Sequence, residues 1–216
     1  MSFDWLAPHY RWMERALAGE KLQRCRTAFL DETKHARRVF IAGEGPGRFL
    51  TALLRAHPNV QVTCVDASAR MLEVAQARLR REGLSAARVE FVHADILTWS
   101  PPRGDFDLLV TPFFLDCFPP EQLAEVVARL SAAATSEARW LVADFYEPPT
   151  GLAWWRARCI LASMYFFFRL ATRLPARRLT PPDLFLESSG FRLRARRLSE
   201  WGLLHSDLWV RGVGGD

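Results

Sequence analysis

Val39-Phe40-Ile41-Ala42-Gly43-Glu44-Gly45-Pro46-Gly47-Arg48-Phe49-Leu50 sets a short apolar run against three alternating glycines. The run Val39 to Ala42 reads as a buried strand. The glycines let the backbone turn sharply and lie against a ligand, and residues 48–57 suit a helix whose first N–H groups attract anionic atoms. A cofactor cradle and a plain strand-to-helix turn both satisfy this pattern. Context favours the cradle: Val60 to Val65 reads as a second strand closed by Asp66, nineteen residues past Gly47, where a carboxylate accepts two ribose hydroxyls.

Strands and helices alternate outward from this stretch. Ser68 caps a helix running through Met71, Leu72, Ala75 and Leu79 to Gly83, and Val89, Phe91 and Val92 form a third strand closed by Asp95. Asp107 to Val110 is a fourth strand, Pro120 starts a helix with Leu123, Val126, Val127 and Leu130 on one face, and Trp140 to Phe145 is a fifth strand. Such alternation predicts an α/β, doubly wound, mostly parallel sheet with helices on both faces. The ending departs from it. Asp183 to Ser189 suits a short helix stopped by Gly190, and Phe191 to Arg196 and Leu203 to Val210 follow as an antiparallel hairpin edge. Upstream, residues 3–18 and 20–32 carry apolar residues at the spacing of two amphipathic helices broken at Gly19.

With 216 residues, 50% of them apolar and 25% charged, the chain reads as one domain with a sizeable core. Disordered, collagen-like and disulfide-scaffold classes are excluded. A net charge of +5 permits acidic partners without requiring them. Cys25, Cys64, Cys117 and Cys159 form no C-x-x-C pair and read as free thiols of a cytoplasmic protein. The N-terminal twenty residues lack an export signal, and Cys159 to Phe168 is half the length that a membrane span requires. No histidine has a partner at metal-ligating spacing, so no metal is expected. Arg192, Arg194 and Arg196 alternate with Phe191, Leu193 and Ala195, which predicts an edge strand with a solvated basic face in place of a nucleic-acid site.

Glycine spacing separates the cofactor classes. The pattern is G-x-G-x-G, and Arg48 stands where a dinucleotide-binding loop has its third glycine. This disfavours a nicotinamide-dependent oxidoreductase. Taken with Asp66, His93-Ala94-Asp95-Ile96 and Asp107-Leu108-Leu109-Val110, the loop resembles that of the class I S-adenosylmethionine-dependent methyltransferases, and the resemblance spans nearly the whole chain. It implies S-adenosylmethionine as cofactor, a seven-stranded sheet of order 3-2-1-4-5-7-6 with the last strand antiparallel, and Gly190-Phe191 at the closing helix. It further implies that Gly43, Glu44, Gly45 and Gly47 face the methionine part, Asp66 and Ala67 the ribose, and Asp95 and Ile96 the adenine, with Thr111 beside the cofactor. Many members carry an acid two positions before the first glycine. Here that position is Ile41, and Glu44 is the residue available to take over its role.

Methyl transfer from a sulfonium is an in-line displacement that needs alignment and exclusion of water more than an acid–base pair. Alignment residues are sought in Thr111 to Phe118: Asp116 as proton acceptor, and Phe113 and Phe114 as apolar walls or as ordinary core. Thr111-Pro112-Phe113-Phe114 lacks the acid or amide and second proline of amino-group methyltransferases, and the segment lacks the Pro-Cys pair of cytosine C5 chemistry. Residues 1–32 resemble a helical lid, with His9 and Tyr10 as candidate catalytic residues lining the pocket. Residues 147–180 resemble an insertion over a small or lipophilic substrate, with Trp155 and Tyr165 as candidate contacts. A dimer interface and a membrane-surface helix bearing Arg156, Arg158, Arg169 and Arg173 are the other readings of that insertion. The expectation is a small, partly apolar methyl acceptor, no integral membrane association, and a monomer or homodimer. The competing non-enzymatic reading is an S-adenosylmethionine-binding protein without turnover.

Overall fold

A computed structural model describes residues 19–172 and 178–212, with the backbone alone for 165–172. The core is a seven-stranded sheet built from β1 (Arg38–Ala42), β2 (Gln61–Asp66), β3 (Val89–His93), β4 (Phe106–Pro112), β5 (Ala134–Phe145), β6 (Phe191–Ser199) and β7 (Leu204–Arg211). Its order is β3-β2-β1-β4-β5-β7-β6. The first five strands run parallel, and β7 lies antiparallel to both β5 and β6. This is the expected topology.

Alternation along β1 explains the layering. Val39 and Ile41 face α2 (Arg48–Ala56) and α3 (Ala69–Arg81), packing among Phe49, Leu53, Leu72 and Leu79. Phe40 and Ala42 face the opposite side and α4 (Pro120–Ala133), among Leu123, Val126 and Leu130. Because β1 is covered on both faces, its sequence is continuously apolar. Ser68 caps α3 as expected, its hydroxyl accepting from Met71 N at 3.2 Å. A third, smaller apolar cluster gathers at the carboxyl ends of the strands. There α1 (Gly19–Thr27) supplies Cys25, and α5 (Gly151–Thr172) supplies Ala157 and Leu161 against Ala143, Leu203 and Leu204.

Three expectations need correction. The helix placed over 20–32 stops at Thr27, whose hydroxyl donates back to Gln23 O, and a 3-10 turn at Leu30–Thr33 follows. The helix expected over 3–18 lies outside the described residues. Strand β5 begins at Ala134, because α4 passes directly into extended chain, and its polar start pairs irregularly with β4. The arginines of β6 do not share one face. A bulge between Leu193 and Ala195 shifts the phase, so Arg192 pairs with Val210 and Arg196 with Asp207, three residues apart on β7 and therefore on opposite sides. Arg196 is thereby turned into an ion pair with Asp207 at 2.6 Å and with Asp183 at 2.8 Å, which ties α6 (Asp183–Ser188) to the hairpin.

Candidate active site

The loop Gly43–Gly47 lies at the carboxyl end of β1, where Gly43 N donates to Val65 O at 2.9 Å. Each of its glycines does a different job. A Cβ on Gly43 would stand 2.2 Å from the Phe114 ring, and one on Gly47 would stand 2.9 Å from Cα and Cβ of Ala75 on α3. Gly47, at φ +79°, is therefore the close-approach glycine. The Arg48 side chain does not occupy that approach; it reaches Gly19 O at 3.3 Å. Gly45 differs, since a Cβ there would meet nothing within 4 Å. Bare backbone thus faces open space beside Asp66, a surface that fits the close approach of a ligand.

Asp66 spans this space from β2. Its Oδ2 accepts from Gly45 N at 3.1 Å and its Oδ1 from Ser68 N at 2.9 Å. The next strand end contributes Asp95, whose Oδ1 accepts from Leu97 N at 3.0 Å, and Ala94 N donates to Asp66 O at 3.2 Å. Ala67 lies between them, its carbonyl 3.1 Å from His93 Nε2. Ile96 is buried in the core among Phe40 and Val65. Thr111 is wholly buried, and its hydroxyl accepts from the Trp140 indole at 3.0 Å, turned into the sheet.

Glu44 is buried beneath the loop. Its Oε1 accepts from Phe49 N at 2.8 Å and Leu50 N at 3.1 Å, closing the first turn of α2. Its Oε2 is buried with no hydrogen-bond partner among the described residues. Burial pushes the carboxyl up to about 7, against the two N–H groups and the nearby Arg26 guanidinium. Arg26 is a candidate that sequence reasoning missed. It is buried on α1, with its guanidinium 4.9 Å from the Phe113 ring centroid. The signal was a basic residue inside the apolar stripe Leu22, Cys25, Phe29.

Past the carboxyl end of β4, Phe113 adopts φ 56°, a left-handed conformation unusual for an aromatic residue and of the kind that gathers at functional sites. Its ring lies 5.3 Å from that of Phe145, while Phe114 packs edge-on against Phe118 at 5.1 Å. Asp116 is buried and donates its N–H to Oδ2 of Asp144 at 3.1 Å. Asp144 was also missed, although an acid closing the apolar run Leu141-Val142-Ala143 was its mark. Burial raises both carboxyls, and the charge of Asp116 raises Asp144 further. Trp155 corrects an expectation: it is 63% exposed and points away, and the face of α5 turned inward carries Ala157, Leu161 and Met164. Tyr165 lies on the same helix, its side chain outside the described residues, as are His9 and Tyr10. No group of three acidic, His or Cys side chains among the described residues is arranged to hold a metal.

Residues 39–137 match the family profile described as a methyltransferase domain. That stretch runs from β1 into the start of β5 and holds the glycine loop, Asp66 and Asp95, so over it the chain is similar to methyltransferase domains. It is 30% identical over 112 residues to malonyl-[acyl-carrier protein] O-methyltransferase of Paenibacillus sp. (strain JDR-2), a match covering 51% of this chain and 38% of that protein. It superposes on the apo form of the S-adenosylmethionine-dependent methyltransferase SibL with TM-score 0.70 and 25% identity, covering 94% of this chain and 56% of that one. The chain thus spans less than two thirds of the length of both. A Burkholderia thailandensis 1,6-didemethyltoxoflavin-N1-methyltransferase, solved with S-adenosylhomocysteine, shares the fold at TM-score 0.67 and 18% identity, covering 98% of this chain and 84% of its own.

Proposed function

We infer that this chain is a methyltransferase, which transfers the methyl group of S-adenosylmethionine to a small, partly apolar acceptor by in-line displacement. The observation that carries the reading is the unobstructed backbone at Gly45 beside the Asp66 carboxylate. Asp66 and Asp95 would hold the nucleoside end, and Gly43, Gly45 and the Glu44 region the amino-acid end. When bound, the sulfonium supplies an already activated methyl group. The chain's own part is then alignment and dryness. Phe113, Phe145, Leu161 and Met164 offer apolar walls, which supports an acceptor with apolar surface. Asp116, held through its N–H by Asp144, would be the residue that takes an acceptor proton. Among the described residues no helix is long and apolar enough to cross a membrane, and the four unpaired thiols are in keeping with a cytoplasmic setting.

Calorimetric titration with S-adenosylmethionine, S-adenosylhomocysteine and NAD, repeated on Asp66→Asn, tests the cofactor half. Saturable binding of both adenosyl ligands, weakened at least tenfold in the variant, is expected. Binding of NAD alone would replace this reading with an oxidoreductase. Tight adenosyl binding with no turnover over a broad acceptor panel would reduce it to a binding protein.

A further inference from the structure

Residues 151–182 contain Arg156, Arg158, Arg169, Arg173, Arg177 and Arg178 and no Lys, Asp or Glu. Without those six the chain holds 23 basic against 24 acidic residues. Its entire positive excess therefore sits in this one stretch, which also holds six aromatic residues. Uneven charge of this kind attracts a partner of opposite sign.

The structure adds a surface to the charge. The outer face of α5 presents Leu152 at 86% and Trp155 at 63% exposure, while Ala157 and Leu161 on its other face are buried. Beside it, in the β6–β7 turn, Trp201 is 75% exposed. Arg156 joins the two, donating from Nη1 to Glu200 O at 3.1 Å with its guanidinium 6.0 Å from the Trp201 ring. Arg158 lies 4.7 Å over Trp154, which packs edge-on against Trp155, and pairs with Glu147 at 3.7 Å. Two guanidinium groups are thus interleaved with three indoles on one exposed face.

We propose that this face, the outer side of α5 with Trp201, docks on an anionic lipid bilayer. Indoles settle at the boundary between headgroups and acyl chains, aliphatic side chains such as Leu152 sink beside them, and arginines lie at phosphate depth. A second copy of the chain is disfavoured as occupant, because the segment would set like charge against like. A nucleic acid would use the arginines and indoles but leave Leu152 without a partner. The docking does not depend on methyl transfer.

Flotation of the full chain with vesicles of phosphatidylcholine, alone or mixed with phosphatidylglycerol, tests it. Binding is expected only to the anionic vesicles, falling as salt is raised. The Leu152→Glu/Trp155→Glu variant should lose about tenfold or more in partitioning with its circular dichroism unchanged, and Leu184→Glu, exposed on α6, should keep it. The proposal is overturned if folded protein ignores anionic vesicles, binds neutral ones equally, or binds regardless of the double variant. It is equally overturned if light scattering shows a dimer that the double variant dissociates.

Discussion

Replacing Gly47 by Ala makes two costs separable. At φ +79° an alanine sits in the left-handed region at about 1–2 kcal/mol. Its new methyl would also stand 2.9 Å from both Cα and Cβ of Ala75, and helix backbone cannot rotate out of the way as a flexible side chain can. Overpacking of that kind adds about 1–3 kcal/mol. The sum, about 2–5 kcal/mol, corresponds at roughly 2–4 °C per kcal/mol for a chain of this size to a melting point lower by about 4–20 °C. Gly83→Ala is the internal control: its φ is +67°, and a Cβ there meets nothing within 4 Å, so only the conformational cost applies. Gly45→Ala, at φ +62° with the same open surroundings, should match Gly83→Ala in stability yet weaken adenosyl-ligand binding. Thermal unfolding of the three variants, with titration of S-adenosylhomocysteine, reads all of this. If Gly47→Ala melted with Gly83→Ala, the assignment of Gly47 to the contact between α2 and α3 would be refuted.

Glu44, raised from 4.5 to about 7 by burial, binds a proton more tightly folded than unfolded. Its contribution to stability is full below about pH 4.5 and is lost as pH rises through about 7; Glu44→Gln should flatten that decline while keeping the acceptor for Phe49 and Leu50 N–H, as urea unfolding across this range would register. Asp144, also raised by burial and by Asp116, destabilises with the same sign, so Asp144→Asn should gain stability at pH 8 relative to pH 5 in the same assay. Asp207 is the opposite case. Its carboxyl is lowered by Arg196 and His205 against the pull of burial, so its stabilisation holds above its ordinary value near 3.8 and is lost on acidification. Asp207→Ala should cost about 2–3 kcal/mol at neutral pH, below the full cost of breaking a buried pair because Arg196 is partly exposed, and denaturant titration measures it.

The cofactor half was legible because its elements are local. A strand, a glycine turn and an acid nineteen residues later lie on consecutive units, and the alternation along β1 and β2 follows from burial on both faces. The rest of the candidate site was less so. Arg26 comes from α1 and Asp144 from the end of β5, and only the crossing of the chain brings them to Glu44 and Asp116. Periodicity on α5 marked an apolar helix without saying which side turns inward, so Trp155 was placed on the wrong one. The β6 bulge was invisible for a related reason: one extra residue reverses every later side chain, and nothing in Arg192 to Arg197 marks where it falls.

The ion pairs from Arg196 to Asp183 and Asp207 fasten the chain at the point where it rejoins the sheet after α5. At the other end, β5 is already paired on both sides along its length. The stretch between Phe145 and Asp183 is consequently a cassette with two fixed ends. Its outward positions can diverge with the glycine loop and Asp66 left in register, and under the function proposed above acceptor choice then becomes an exchangeable part on a constant cofactor platform.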